Sequence, residues 1–205
     1  MNSKKSWNVR TLVGLALFTA IVVVLQLIGN FIRFGVFSIS LVLVPIVVGA
    51  ALYGPAAGGW LGAVFGLVVL VTGGGEPFMT INPLGTILTV MVKGIGAGLA
   101  AGLVYKLLER KNQYVAIILS AIVCPVVNTG IFLLGCLAFF METVSGWAEG
   151  AGFANAGAYM VLGLAGLNFV FELAANLVLS PVIRVLINLG QKGVAKIQNK
   201  RAAKA

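Results

Sequence analysis

Two ionisable residues, Lys93 and Glu172, stand in the middle of long apolar runs. Glu172 lies in LNFVFELAANLVLSP between Asn168 and Asn176, four residues from each. That spacing puts all three on one face of a helix. A carboxylate and amides can exchange hydrogen bonds with a polar organic molecule, and an ammonium can hold a carboxylate. Asn128 interrupts another apolar run in the same way.

Other chemistries are closed to this chain. It has no histidine, and all five of its acidic residues are Glu. A Ser-His or Cys-His nucleophile pair, an HExxH zinc site and an aspartyl dyad are therefore excluded. The glycines of TGGGEPF lack the Lys and Ser/Thr that a phosphate-binding P-loop needs, so they read as an outer turn. Neither a metal nor a cofactor is expected. Cys124 and Cys136 fall on one helix, too far apart to bridge, and read as small buried apolar groups.

The elements that carry these residues must live in lipid. Of 205 residues, 60% are hydrophobic and only 9% charged, with mean hydropathy +1.08. A soluble domain carries about 25% charged residues, so this chain cannot clothe a water-facing surface. It reads as a single all-α membrane domain, a compact bundle of six transmembrane helices at about 11–29, 36–53, 56–72, 83–106, 114–141 and 158–189. Breaks at NFIRFG, YGP, TGGGEPFMTIN, ERKNQ and METVSGWAEGAGFANAG supply Gly, Pro, Asn or charge. Pro125 and Pro181 are expected kinks.

With six spans, Lys4, Lys5, Arg10, Lys106, Arg110, Lys111, Arg184 and the basic tail 190–205 share one side, and Arg33 is the lone cation opposite. The positive-inside rule then makes both termini cytoplasmic. The net charge of +9 is thus a topology signal, with lipid headgroups rather than nucleic acid as the tail's expected contact. Gly58, Gly62 and Gly66 recur every fourth residue, as do Gly94, Gly98 and Gly102. Such stripes let membrane helices approach closely.

Helical rise sets the depths. At ~1.5 Å per residue, Lys93 lies roughly 20 Å above Lys106, Glu172 roughly 18 Å above Arg184 and Asn128 roughly 22 Å above Gln113. Three helices thus present Lys, Asn and Glu at one level in the outer half of the membrane. They could serve as a register-fixing ion pair with amide glue. They could also line a ligand pocket open to the outside, which is favoured because the cluster exceeds what packing requires. FIRFGVF places Arg33 and Phe34 at the outer end, and Phe78, Phe132, Trp147, Phe153 and Tyr159 fall on the same side as a possible aromatic lid.

Further patterns point to a family. The first helix reads LVGLALFTAIVVVLQ, with Ala16 and Ala20 as A-x-x-x-A. It is followed by LVLVPIVVGAALYGPAAGGWLGAVFGLV and PFMTINPLGTILTVMVKGIGAGLAAGLVYKLL. Over roughly residues 8–190 this order resembles the S component, the vitamin-capturing subunit, of energy-coupling factor (ECF) transporters. The resemblance implies a six-helix fold that binds a vitamin or precursor from outside. It implies a transmembrane scaffold subunit and two ATPase subunits as partners, with Ala16 and Ala20 on the face that meets the scaffold. Ligand contacts would come from the first outer loop and the last three helices, where Lys93, Asn128, Asn168 and Glu172 fall.

Lys93 suits a ligand carboxylate and the amides suit hydroxyls, which favours pantothenate, followed by riboflavin stacked on the phenylalanines. A rival reading is a stand-alone proton-coupled carrier using Glu172, although the first three spans show no inverted repeat in the last three. An intramembrane enzyme lacks its usual bases.

Overall fold

Asparagine and proline start the two longest helices. Asn82 accepts a hydrogen bond from the Gly85 amide at 2.9 Å, and Pro83 occupies the first helical turn, where no donor is missed. Asn112 likewise accepts from Tyr114 and Val115 at 2.9 and 3.2 Å. The computed structural model describes residues 9–31, 33, 34, 37, 38 and 41–190; the basic tail beyond Gly190 and the lysines before Val9 lie outside the described residues.

Helix α1 (Val9–Phe31) leads to a two-residue antiparallel pairing, β1 (Arg33–Phe34) with β2 (Phe37–Ser38). Then come α2 (Leu43–Tyr53), α3 (Pro55–Val71), the short α4 (Glu76–Met79), α5 (Pro83–Leu108) and α6 (Gln113–Phe139). Helices α7 (Met141–Gly150) and α8 (Ala156–Ala158) precede a π-helical segment (Tyr159–Gly166), α9 (Leu167–Val178) and α10 (Ser180–Gly190). Among the described residues, four stretches are long and apolar enough to cross a membrane: Thr11–Gly29, Pro83–Leu108, Gln113–Phe139 and Ala156–Val178. Helices α2, α3 and α10 are shorter.

Several sequence expectations change here. The second span, read as 36–53, has Phe37–Ser38 extended and Leu43–Tyr53 helical among its described residues. Its first residues, FSIS among them, combine β-branched, aromatic and serine residues that favour extended or turn backbone. The last span, read as 158–189, is broken into three pieces. Pro181 has no amide hydrogen for the preceding turn, so the helix pauses at Leu179 and restarts with Pro181 in its first turn. Pro125, by contrast, sits inside an unbroken α6. The segment METVSGWAEG, read as part of a break between spans, is a helix with Val144 and Ala148 buried.

Packing centres on α3, α5 and α6. A methyl group at Gly58 would strike the Gly98 carbonyl, and one at Gly62 the Gly94 carbonyl. The two glycine stripes therefore face each other, backbone on backbone. Gly54, at φ 98°, turns α2 into α3 in a conformation that only glycine adopts without strain. At the end where α6 begins, Ile117, Ile183 and Ile187 are fully buried, and Gln113 donates to Asn188 at 3.1 Å. That end of the bundle is closed by apolar packing.

Candidate ligand-binding site

The long α5 and α6 and the broken last span enclose a cavity of about 880 Å³. Its polar wall comes from mid-helix positions: Lys93 on α5, Asn128 on α6, and Asn168 and Glu172 on α9. Lipid-soluble helices can bury such groups only by turning them toward one another or toward a cavity. Glu172 is 3% exposed and Asn128 4%.

Lys93 Nζ sits 5.3 Å from the Phe132 ring centroid and 5.8 Å from that of Phe65, so two aromatic faces stabilise the ammonium. Lys93 and Glu172 act on each other electrostatically, and the Asn128 side chain is directed at the Glu172 carboxylate. One carboxylate oxygen, Glu172 Oε2, accepts no hydrogen bond, nor do Asn128 Oδ1 and Asn168 Oδ1. These are buried acceptors on the boundary of an open space.

Toward the mouth the lining becomes aromatic. Phe78, carried on α4, packs edge-on against Phe132, Phe140 and Trp147 with centroids 5.8, 4.9 and 5.3 Å apart. Tyr159 also lines the cavity, and its ring meets Phe153 at 5.2 Å. Tyr159 opens the π-helical segment, whose Leu164 and Ala165 face the same space. π-Helical turns often occur at functional sites, and this one links the aromatic mouth to Asn168 and Glu172.

The structure thus brings together Lys93, Asn128, Asn168, Glu172 and Phe78. Asn176 is not among the cavity residues. It is 1% exposed, and its amide donates to the Glu172 backbone carbonyl at 2.8 Å, one turn away from the site. Arg33 and Phe34 belong to the β1–β2 pairing, and their side chains lie outside the described part of the structure. Ala16 and Ala20 are exposed on the outer face of α1.

Residues that sequence reasoning missed include Gln26, Phe65, Thr89 and Thr129, all of which line the cavity. Thr89 stands four residues before Lys93 and so shares its helix face, a signal that was there to be used. Phe65 gave none, since a Phe in an apolar run reads as core. Cys136 also lines the cavity, and Cys124 is buried.

Fold and cavity together describe a membrane protein with several apolar helices around an internal cavity. The chain belongs to the substrate-specific components of ECF transporters: the family model described as "ECF transporter, substrate-specific component" matches residues 10–184. Among solved structures, ThiT from Listeria monocytogenes has a similar fold, with TM-score 0.63 and 19% identity, covering 89% of this chain and 97% of that one. No curated protein matches the chain. As a member of this family the chain is a vitamin-uptake subunit, not an enzyme, and it works with an ECF scaffold and ATPase module.

Proposed function

We propose that this chain captures a vitamin or vitamin precursor from outside the cell in the cavity between α5, α6 and α9, with pantothenate the first candidate and riboflavin the second. One observation carries the reading: a cation, a carboxylate and two amides from three helices line a single cavity beneath an aromatic mouth. Pantothenate offers a carboxylate to Lys93, and its two hydroxyls and amide N–H suit the oxygens of Asn128, Asn168 and Glu172. Riboflavin would place its rings among Phe78, Trp147 and Tyr159.

In this reading the chain crosses the membrane six times with both termini cytoplasmic, which the one-sided distribution of Lys and Arg supports. Ala16 and Ala20 meet the scaffold, and two ATPase subunits supply the energy. The test is thermal unfolding of the purified, detergent-solubilised chain against a panel of B vitamins. A true ligand raises the midpoint in a concentration-dependent way, because it binds the folded state alone. A flat response to every vitamin would refute the proposal. The rival carrier reading predicts that the isolated chain in liposomes moves solute down a pH gradient through Glu172; the capture reading predicts no such flux.

A further inference from the structure

We infer that the seam between the start of α6 and α10 binds an anionic phospholipid, with Arg184 and Lys111 on its headgroup phosphate and Tyr114 as the platform that holds Arg184 in place. The site is separate from the cavity and does not depend on what the cavity holds.

The setting of Arg184 calls for an anion. On α10, Ile183 and Ile187 are fully buried, while Val182, Val185, Leu186 and Leu189 are exposed. The exposed four recur at i, i+3, i+4 and i+7, the pattern of one helix face, and in a membrane protein that face meets lipid. Arg184 lies on the flank between the two stripes, on the same side as Asn188 one turn on. It is exposed, yet apolar residues precede and follow it as far as Leu189. A charge beside hydrocarbon is costly unless it is paired or reaches the headgroups. All five acids of the chain are described, and none forms an ion pair with Arg184 among the described residues. A headgroup phosphate supplies the missing partner.

The neighbouring helix fixes the guanidinium. Gln113 donates to Asn188 at 3.1 Å, which ties the first turn of α6 to α10. One turn away, the Arg184 guanidinium stands 5.5 Å from the Tyr114 ring centroid. A guanidinium stacked on a ring keeps its edge N–H groups free to grip two phosphate oxygens. Tyr114 is itself exposed, with the apolar body and polar tip that suit the headgroup level. Lys111, exposed three residues earlier, brings a second cation. Arg110 and the α5 terminal Lys106 add to it, against the single acid Glu109 in this part of the chain. Basic sites between membrane helices select anionic lipids. Deeper along the seam, exposed Val115 and Leu119 on α6 and Val185 on α10 offer acyl chains an apolar surface. A free phosphate would use the cations and leave that surface bare, so a lipid is the occupant that matches both.

The experiment titrates the purified full chain, in a neutral detergent, with dioleoylphosphatidylglycerol or dioleoylphosphatidylcholine. Native mass spectrometry reads binding, and the thermal midpoint reads stabilisation of the folded state. Without a charged bilayer surface, only a local contact carries a preference. Phosphatidylglycerol should bind at least about fivefold tighter, and Arg184→Gln should lower that preference by about fivefold, the worth of one basic residue at a headgroup. Tyr114→Leu keeps apolar bulk and charge but removes the platform, and should lower the preference too. Arg110→Gln is the control: it removes the same charge from the segment joining α5 to α6 and should leave the preference within about twofold. All three positions are exposed, so lipid-free midpoints near wild type verify that the variants fold. Equal binding of the two lipids overturns the inference. Equal losses in Arg184→Gln and Arg110→Gln also overturn it, because net charge alone then accounts for the preference. Glycerol phosphate has the headgroup but no chains; if it raised the midpoint as much as the lipid, the site would not be a lipid site. A lipid preference untouched in Arg184→Gln, with co-purification of the scaffold and ATPase subunits lost, would assign the surface to a protein partner instead.

Discussion

At the residue scale, the proposed ligand site and simple internal charge balance make different demands on Lys93. Were its purpose only to neutralise Glu172, it would close an ion pair. Instead its ammonium lies over two aromatic rings, and one Glu172 oxygen remains unpartnered. Lys93→Met keeps the stem's packing and removes the charge. Losing a charge-assisted bond to a ligand carboxylate costs about 1.5–3 kcal/mol, so affinity should drop by roughly 10- to 100-fold. Titration calorimetry of the purified variant checks this. Unchanged affinity with a lowered melting temperature would assign Lys93 to the fold instead.

That Lys93, Asn128, Asn168 and Glu172 share one cavity was legible because a polar group in lipid must be accounted for and helical rise gives its depth. Asn176 shares the face of Glu172 yet misses the cavity, because a shared face does not fix how far down the helix the cavity extends.

At the scale of elements, the glycine stripes were legible as close-packing surfaces, and the structure pairs them. The partner helix was not, since spacing alone cannot say which stripe meets which. The pairing makes a sharp contrast testable. A side chain at Gly62 or Gly98 would collide with the main chain of the opposite helix, which cannot rotate away. Gly62→Val should destabilise the protein by more than the usual ~1–3 kcal/mol of core overpacking. Gly130, inside α6, has nothing within 4 Å of a new methyl group. Gly130→Ala should therefore be neutral or stabilise by up to about 1 kcal/mol, the helix-propensity difference. Thermal melts in one detergent compare the two. A harmless Gly62→Val would show that α3 and α5 do not pack as described.

Hydropathy also reported the last span as one continuous run. It could not reveal the π-helical turn, because widening a helix leaves its composition unchanged.

For the whole molecule, the proposed division between a binding half and a docking half makes the last prediction. α1 buries Leu15 and Val22 against its neighbours, but Ala16 and Ala20 face outward beside exposed Leu12, Val13 and Leu17. Among the described residues of α1, Gln26 lines the cavity, ten residues from Ala16. At ~1.5 Å per residue that is roughly 15 Å along the helix, too far for a side chain at Ala16 to reach a ligand. The opposite end of the bundle is shut by Ile117, Ile183 and Ile187, so a captured molecule cannot leave that way without rearrangement.

Ala16→Trp places a large ring where a partner helix would approach closely. It should leave vitamin affinity within about twofold, because the site is remote and unstrained. It should also abolish co-purification with the scaffold and ATPase subunits, and with it uptake into cells. Binding and uptake are measured on the same variant, so the two functions separate cleanly. If uptake persisted at the wild-type rate, the docking face would have to lie elsewhere on the bundle. If affinity fell together with uptake, α1 would be coupled to the cavity and the division into two halves would be wrong.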